Sequence, residues 1–158
     1  MKKQILPVCL LLLLITACGG ETPAPASVVA PAADPEPAGL PRTTSVAGAT
    51  VFFISPADGD TVSNPVRVVF GIEGMEVVPA GENAPHSGHH HLLIDTGLPD
   101  LGLPIPKDAQ HVHFGDGSTE TEITLEPGQH TLQMLLGDHL HIPHDPPLVS
   151  DPITILVE

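Results

Sequence analysis

The sequence predicts an all-β domain, a β-sandwich of about seven short strands. Three observations predict it. Apolar residues alternate with others over short runs, as in Val66, Val68, Phe70 and Ile72 set between Arg67, Val69, Gly71 and Glu73. Pro/Gly turn clusters separate these runs: Ser55-Pro56-Ala57-Asp58-Gly59-Asp60, Glu126-Pro127-Gly128 and Asp145-Pro146-Pro147. No stretch carries a long 3.6-residue repeat with caps. A period of two means a strand with one buried face, and turn residues at regular spacing mean neighbouring antiparallel strands.

Taken in order, Met1-Lys2-Lys3, an apolar run from Ile5 to Ile15 and Thr16-Ala17-Cys18 read as a secretory leader, residues 1–17. The run is too short to span a bilayer. Ile15-Thr16-Ala17-Cys18 resembles the bacterial lipobox, in which lipid is attached to the Cys thiol after cleavage. That implies lipidation of Cys18 and a stable membrane anchor. Gly19 rather than Asp follows the Cys, which resembles the outer-membrane sorting pattern. The expected location is the bacterial envelope, on the inner face of the outer membrane. Residues 18–48 are Ala, Pro, Gly, Thr and Ser with few side chains to bury, the composition of a disordered tether.

The domain is expected over 49–158. Val51–Ile54, Thr121–Leu125, the Leu132/Met134/Leu136 run and the Ile153/Ile155/Val157 run add strands to that of Val66–Glu73. "Phe-Ile-Ser-Pro…Asp-Gly…Val…Pro-Val-Arg-Val" resembles the first hairpin of many bacterial immunoglobulin-like domains. "Pro-Gly-Gln-His-Thr-Leu-Gln-Met" resembles their later E–F corner. The implied topology is an immunoglobulin-like Greek-key sandwich without its disulfide or core Trp.

Composition narrows the chemistry. Cys9 leaves with the leader and Cys18 carries lipid, so the domain has no thiol ligand or nucleophile. Without the leader, Arg42, Arg67 and Lys107 stand against nineteen acids. That field repels nucleic acid and attracts divalent cations. Ten histidines in such a chain concentrate imidazole, a metal ligand and the side chain that titrates near neutral pH.

Most of the histidines fall in three clusters. The first is His86 with Gly88-His89-His90-His91-Leu92-Leu93-Ile94-Asp95. On a strand, His89 and His91 share one face about 7 Å apart, while His90 takes the other with Leu92 and Ile94. The second is His111-Val112-His113, a further His-x-His pair that also reads as a polar edge strand. The third is His139, His141 and His144 in a Pro-rich loop, with Asp138 and Asp145 as ligands or as acceptors that fix a tautomer. His130 shares a strand face with Leu132 and Met134 and reads as a partly buried structural residue. Strand ends gather at one rim of a sandwich. If the clusters share it, His89, His91, His111, His113, His139, His141 and His144 are the candidate ligands for copper or zinc. Only Met75 and Met134 survive processing, which disfavours a thioether copper(I) site.

Residues 51–158 are similar to a bacterial secreted family catalogued only as a domain of unknown function. The resemblance is carried by "Gly-His-His-His-Leu-Leu-Ile-Asp", "His-Val-His-Phe-Gly-Asp-Gly-Ser-Thr-Glu" and "Pro-Gly-Gln-His-Thr-Leu-Gln-Met-Leu-Leu-Gly-Asp-His-Leu-His-Ile-Pro-His". It implies an envelope protein with this His constellation and brings no activity. A fainter similarity, the Gly-x-His-x-His strand, is to copper–zinc superoxide dismutase. The zinc loop, disulfide and guiding Arg of that enzyme have no counterparts here.

Three functions are expected to compete. One is a binding module that captures copper or zinc or hands it to an envelope protein. Another is an interaction or pH-sensing protein without metal. The last is a metal enzyme, dismutase-like or hydrolytic, with Glu120, Glu122 or Asp138 as its base. No catalytic motif orders those carboxylates.

Overall fold

The computed structural model describes residues 40–158. The leader, Cys18 and the tether before residue 40 lie outside the described residues. Within them the protein is all-β, with nine strands and no helix.

One sheet has three strands. β1 (Thr50–Ser55) pairs antiparallel with β3 (Val66–Glu73), and β3 pairs antiparallel with β7 (Glu120–Ile123). The second sheet begins at β2 (Thr61–Val62), which lies parallel to β9 (Ile153–Val157). It continues through β8 (Gly128–Gly137) to β5 (Ser87–Ile94), both pairings antiparallel. β5 then pairs parallel with β4 (Glu76–Val77) and antiparallel with β6 (His111–His113). The opening segment thus contributes one strand to each sheet, β1 to the first and β2 to the second. With the long crossovers between sheets, this is the immunoglobulin-like Greek-key arrangement. Seven strands have three residues or more.

The alternation read from the sequence sets the core. Val66, Val68 and Phe70 of β3 face Leu92, Ile94, Leu132, Met134, Leu136, Ile155 and Val157 of the larger sheet. Strand ends follow local chemistry. β5 stops where Asp95 takes a positive φ of 53°. β7 ends at Ile123, short of Leu125, whose N–H and carbonyl are both hydrogen-bonded by the Asn64 side chain at 3.0 and 2.7 Å.

β5 departs from simple alternation because all eight of its residues are buried. Its inner face, with His90, Leu92 and Ile94, packs into the sandwich. On its outer face, Leu93 joins Ile105 and Leu135 in a second, smaller apolar cluster. The loop between β5 and β6 folds back there, and Ile105 N–H donates to the His141 carbonyl at 2.8 Å. Two loops therefore cover the outward face of this strand, and the side chains on that face lose water without entering the main core.

Candidate metal centre

The site grows from the period of β5. His89 and His91, at i and i+2, both point to the outer face, with ring centroids 4.8 Å apart. His113 on β6 stands opposite His91 in the ladder, and cross-strand partners share a face. Its ring lies 5.1 Å from that of His91 and 5.0 Å from that of His89. Gly137, at the end of β8, stands opposite His89. The chain then turns through Asp138–Ile142 and returns His141 to the group, 4.9, 6.0 and 4.7 Å from His89, His91 and His113.

Four imidazoles therefore meet with all six centroid separations between 4.7 and 6.0 Å. Imidazole nitrogen sits about 2.0 Å from zinc and the ring centroid about 1.1 Å farther, so a tetrahedral site needs centroids about 5 Å apart. A square-planar site would instead need four separations of about 4.5 Å and two of about 6.4 Å. The observed set has one long separation and resembles the tetrahedron. His113 Nε2 and His141 Nε2 are 3.1 Å apart, close to the ~3.3 Å edge of such a tetrahedron. One ligand atom each from His89, His113 and His141 lies within 4.8 Å of the others, so these three could hold a metal ion, and the ring of His91 lies beside them.

Burial and the neighbouring rings favour the neutral form of His89, His91 and His113. Burial, then the neighbouring His141 and His113, pushes His89 down to about 4. Burial, then His89, His113 and His141, pushes His91 down to about 2. His113 is also lowered, by burial, His141 and Lys107. A neutral imidazole offers a lone pair. Neither nitrogen of His89 or His91 has a hydrogen-bond partner although both residues are almost fully buried. Buried polar atoms are nearly always satisfied; His90 on the inner face is orphaned too, but only His89 and His91 turn their free nitrogens toward other imidazoles, where a shared ligand would satisfy them.

Two glycines make the room. A Cβ at Gly137 would lie 2.8 Å from His91 Cε1, and one at Gly115 would lie 2.3 Å from His113 Cε1. The sequence reading did not single out either glycine, and a glycine at a strand end gives no signal of which ring will lie over it.

His141 occupies a left-handed conformation, φ 66°, which costs a non-glycine residue about 1 kcal/mol. Asp138 holds that turn. Its Oδ1 accepts from Leu140 N–H and Ile142 N–H at 2.8 and 3.0 Å, and its Oδ2 accepts from the Thr43 hydroxyl at 2.7 Å. Burial alone would raise the carboxyl, but the bonds from Thr43, Ile142 and Leu140 outweigh it and hold it below the usual range. Asp138 is thus an organiser of the ligand loop.

The remaining candidates sit apart from the four. His111 lies on the same face as His113 but two rungs farther along, opposite Leu93, and its Nδ1 meets Asp108 Oδ1 at 2.8 Å. His139 is half-buried in the Asp138–Ile142 turn. His144 is fully buried on the other side of β5, where a Cβ on Gly88 would meet its ring. Its Nε2 lies 3.2 Å from the Ser87 carbonyl. His90 lies in the sandwich interior, 5.3 Å from the ring of Phe70, and burial lowers it to about 4. His86 is exposed. His130 binds Asp95 at 2.7 Å and the Glu126 carbonyl at 2.8 Å, and the Asp95 hydrogen bond raises its pKa. Asp145 faces Arg42 at 3.4 Å, and Glu120 is engaged by Arg67 at 2.6 Å.

A cavity of about 280 Å³, walled by Pro104, Ile105 and Pro106, opens onto His91, His113 and His141. Lys107 also lines it.

The chain belongs to the family described as Domain of unknown function (DUF4399), whose model matches residues 68–158. That span contains all four clustered histidines. Neither a curated protein nor a solved structure matches the chain.

Proposed function

We propose that this domain binds one transition-metal ion, copper or zinc, through His89, His91, His113 and His141. The observation that carries the reading is the convergence of four imidazoles at tetrahedral spacing, two of them almost fully buried with no other partner for either nitrogen. Tetrahedral nitrogen coordination suits zinc(II), a d10 ion, better than the tetragonal preference of copper(II). Four protein ligands close the coordination sphere, which supports binding, buffering or transfer over hydrolysis, where one position stays open for water. The carboxylates considered as bases also have other engagements: Glu120 with Arg67, and Asp138 with its own turn and Thr43.

The domain is proposed to work in the bacterial envelope, tethered through a lipid on Cys18, where its acidic field gathers divalent cations. A pH-sensing role is less well supported. Burial holds His89 and His91 at about 4 and about 2, so they do not change charge between pH 5 and 7.

The test is metal content. The full chain is purified without a tag or a metal column and analysed for metals before and after equilibration with copper and with zinc. One ion per chain, lost in the His89→Ala/His91→Ala double variant, supports the reading. A folded chain that stays empty under both conditions sinks it.

A further inference from the structure

The segment from Leu40 to Val46 has the composition of a tether, yet it is bonded along the ligand loop. Arg42 Nε donates to the Pro143 carbonyl at 2.9 Å, and Arg42 Nη2 donates to the His144 carbonyl. Asp145 N–H donates to the Thr43 carbonyl at 2.9 Å, and Ser45 N–H donates to the Asp145 carbonyl at 3.2 Å, forming a parallel bridge centred on Thr44. The Ser45 hydroxyl donates to the Pro146 carbonyl at 2.9 Å. Leu40 N–H donates to the Gly102 carbonyl at 3.0 Å, reaching the other loop that covers the site. The shortest link to the metal ligands runs through Thr43. Its hydroxyl donates to Asp138 Oδ2, and the opposite oxygen of Asp138 holds the two amides that flank His141.

The four rings are not equally fixed. His89, His91 and His113 stand on paired strands. His141 stands on a five-residue turn in a left-handed conformation. It is the only one of the four that stands outside a paired strand.

We infer that Leu40–Val46 is a strap coupled to the metal centre, with Thr43 and Asp138 as positioning residues that hold His141 in place. The inference rests on the metal reading and adds its regulation: a docked strap gives the four-imidazole site, and a displaced strap frees His141 and weakens the ion's hold. Because binding linkage is reciprocal, the ion must in turn tighten the strap. The strap is also where the proposed membrane tether joins the domain, so a pull or a competing contact on the tether acts on the site directly.

The experiment uses the full chain and zinc. Affinity is measured by chelator competition for the wild type, Thr43→Val, Thr43→Ser and Thr44→Val. Amide exchange at Ser45 and Asp145 is followed with and without zinc. Loss of a group hydrogen-bonded directly to a metal ligand weakens binding about 10- to 100-fold, and Thr43→Val, which acts through Asp138 and the backbone beside His141, is expected to weaken it by less than that but measurably. Thr43→Ser, which keeps the hydroxyl, should recover most of it, and Thr44→Val should match the wild type. Zinc should slow exchange at Ser45 and Asp145 in the wild type, and fail to do so in His141→Ala saturated through its three remaining ligands. Wild-type affinity in Thr43→Val overturns the strap. So does exchange at Ser45 and Asp145 that ignores zinc, whatever the affinity, because a weakened variant then reports only general loosening. If Thr43→Val does not fold, the exchange measurement on the wild type and His141→Ala decides. A wild type that takes up no zinc or copper overturns the metal reading itself, a result separable from failure of the strap alone.

Discussion

His91 on β5 and His113 on β6 are direct cross-strand partners, with ring centroids 5.1 Å apart on the outer face of the larger sheet. The next pair on the same face of that ladder, two rungs along, is Leu93 with His111. The ladder therefore separates two histidines that the sequence presents as equivalents. His113→Ala is expected to weaken zinc binding by about a hundredfold or more, since it removes a ligand outright. His111→Ala should leave both stoichiometry and affinity near the wild type. Chelator competition on both variants checks the contrast, and equal losses would place the ion elsewhere.

Gly137 should be intolerant of a side chain. A Cβ there comes within 2.8 Å of His91 Cε1 and 3.2 Å of its Nδ1. The ring must move by several tenths of an ångström, and a buried ring between two strands and a loop has little freedom to do so. Gly137→Ala is expected to lower zinc affinity at least tenfold while the β-sheet circular dichroism persists. Unchanged affinity would mean that His91 is not a ligand.

His90 should be dispensable for metal and costly for stability. It lies on the inner face, fully buried, with neither nitrogen hydrogen-bonded. An unsatisfied buried polar group costs about 1–3 kcal/mol. His90→Leu, similar in volume, is expected to raise the unfolding free energy by about that amount and to leave one metal per chain. Denaturant unfolding and metal analysis read the two outcomes independently.

Acid should destabilise the metal-free protein. Burial sets His89 and His90 at about 4 and His91 at about 2, whereas in the unfolded chain each titrates near 6.5. Between those values the unfolded state binds more protons than the folded state, so stability falls as pH falls. Each of these histidines contributes up to about 1.4 kcal/mol per pH unit. The loss should begin near pH 6.5, steepen toward 4, and be flat above 7 as far as these groups are concerned. His130, raised by Asp95, acts in the opposite sense, because its stabilisation is present at low pH and lost as pH rises. Denaturant midpoints from pH 4.5 to 8 check the slope. A midpoint that rises on acidification would contradict the burial of the three-histidine run.

Zinc should stabilise by mass action. At a free concentration one hundred times the dissociation constant, a ligand specific to the folded state adds about 2.7 kcal/mol. A thermal scan with zinc and then with excess chelator should show the gain appear and vanish. In His89→Ala/His91→Ala the gain should be absent.

The sandwich and the facing of β5 are legible in the amino-acid pattern alone. The period of two in Val66–Ile72, Leu132–Leu136 and Ile153–Val157 is a local property, imposed by alternating side chains on a strand, and it specified which residues form the core. The same rule separates His90 from His89 and His91 whatever strands β5 pairs with. Which distant histidines join those two depends on how the folded segments meet. His111 and His113 have the same local pattern, and ladder register alone sets one against His91 and the other against Leu93. His139, His141 and His144 share one loop, and the Asp138 hydrogen bonds with a positive φ at His141 select the member that reaches the site. Thr43 was hidden in tether-like composition because its role depends on a hydroxyl meeting a carboxylate ninety-five positions away. Period and propensity are short-range quantities that a single segment carries, whereas register, loop return and strap docking are relations between segments and exist only once the chain has folded.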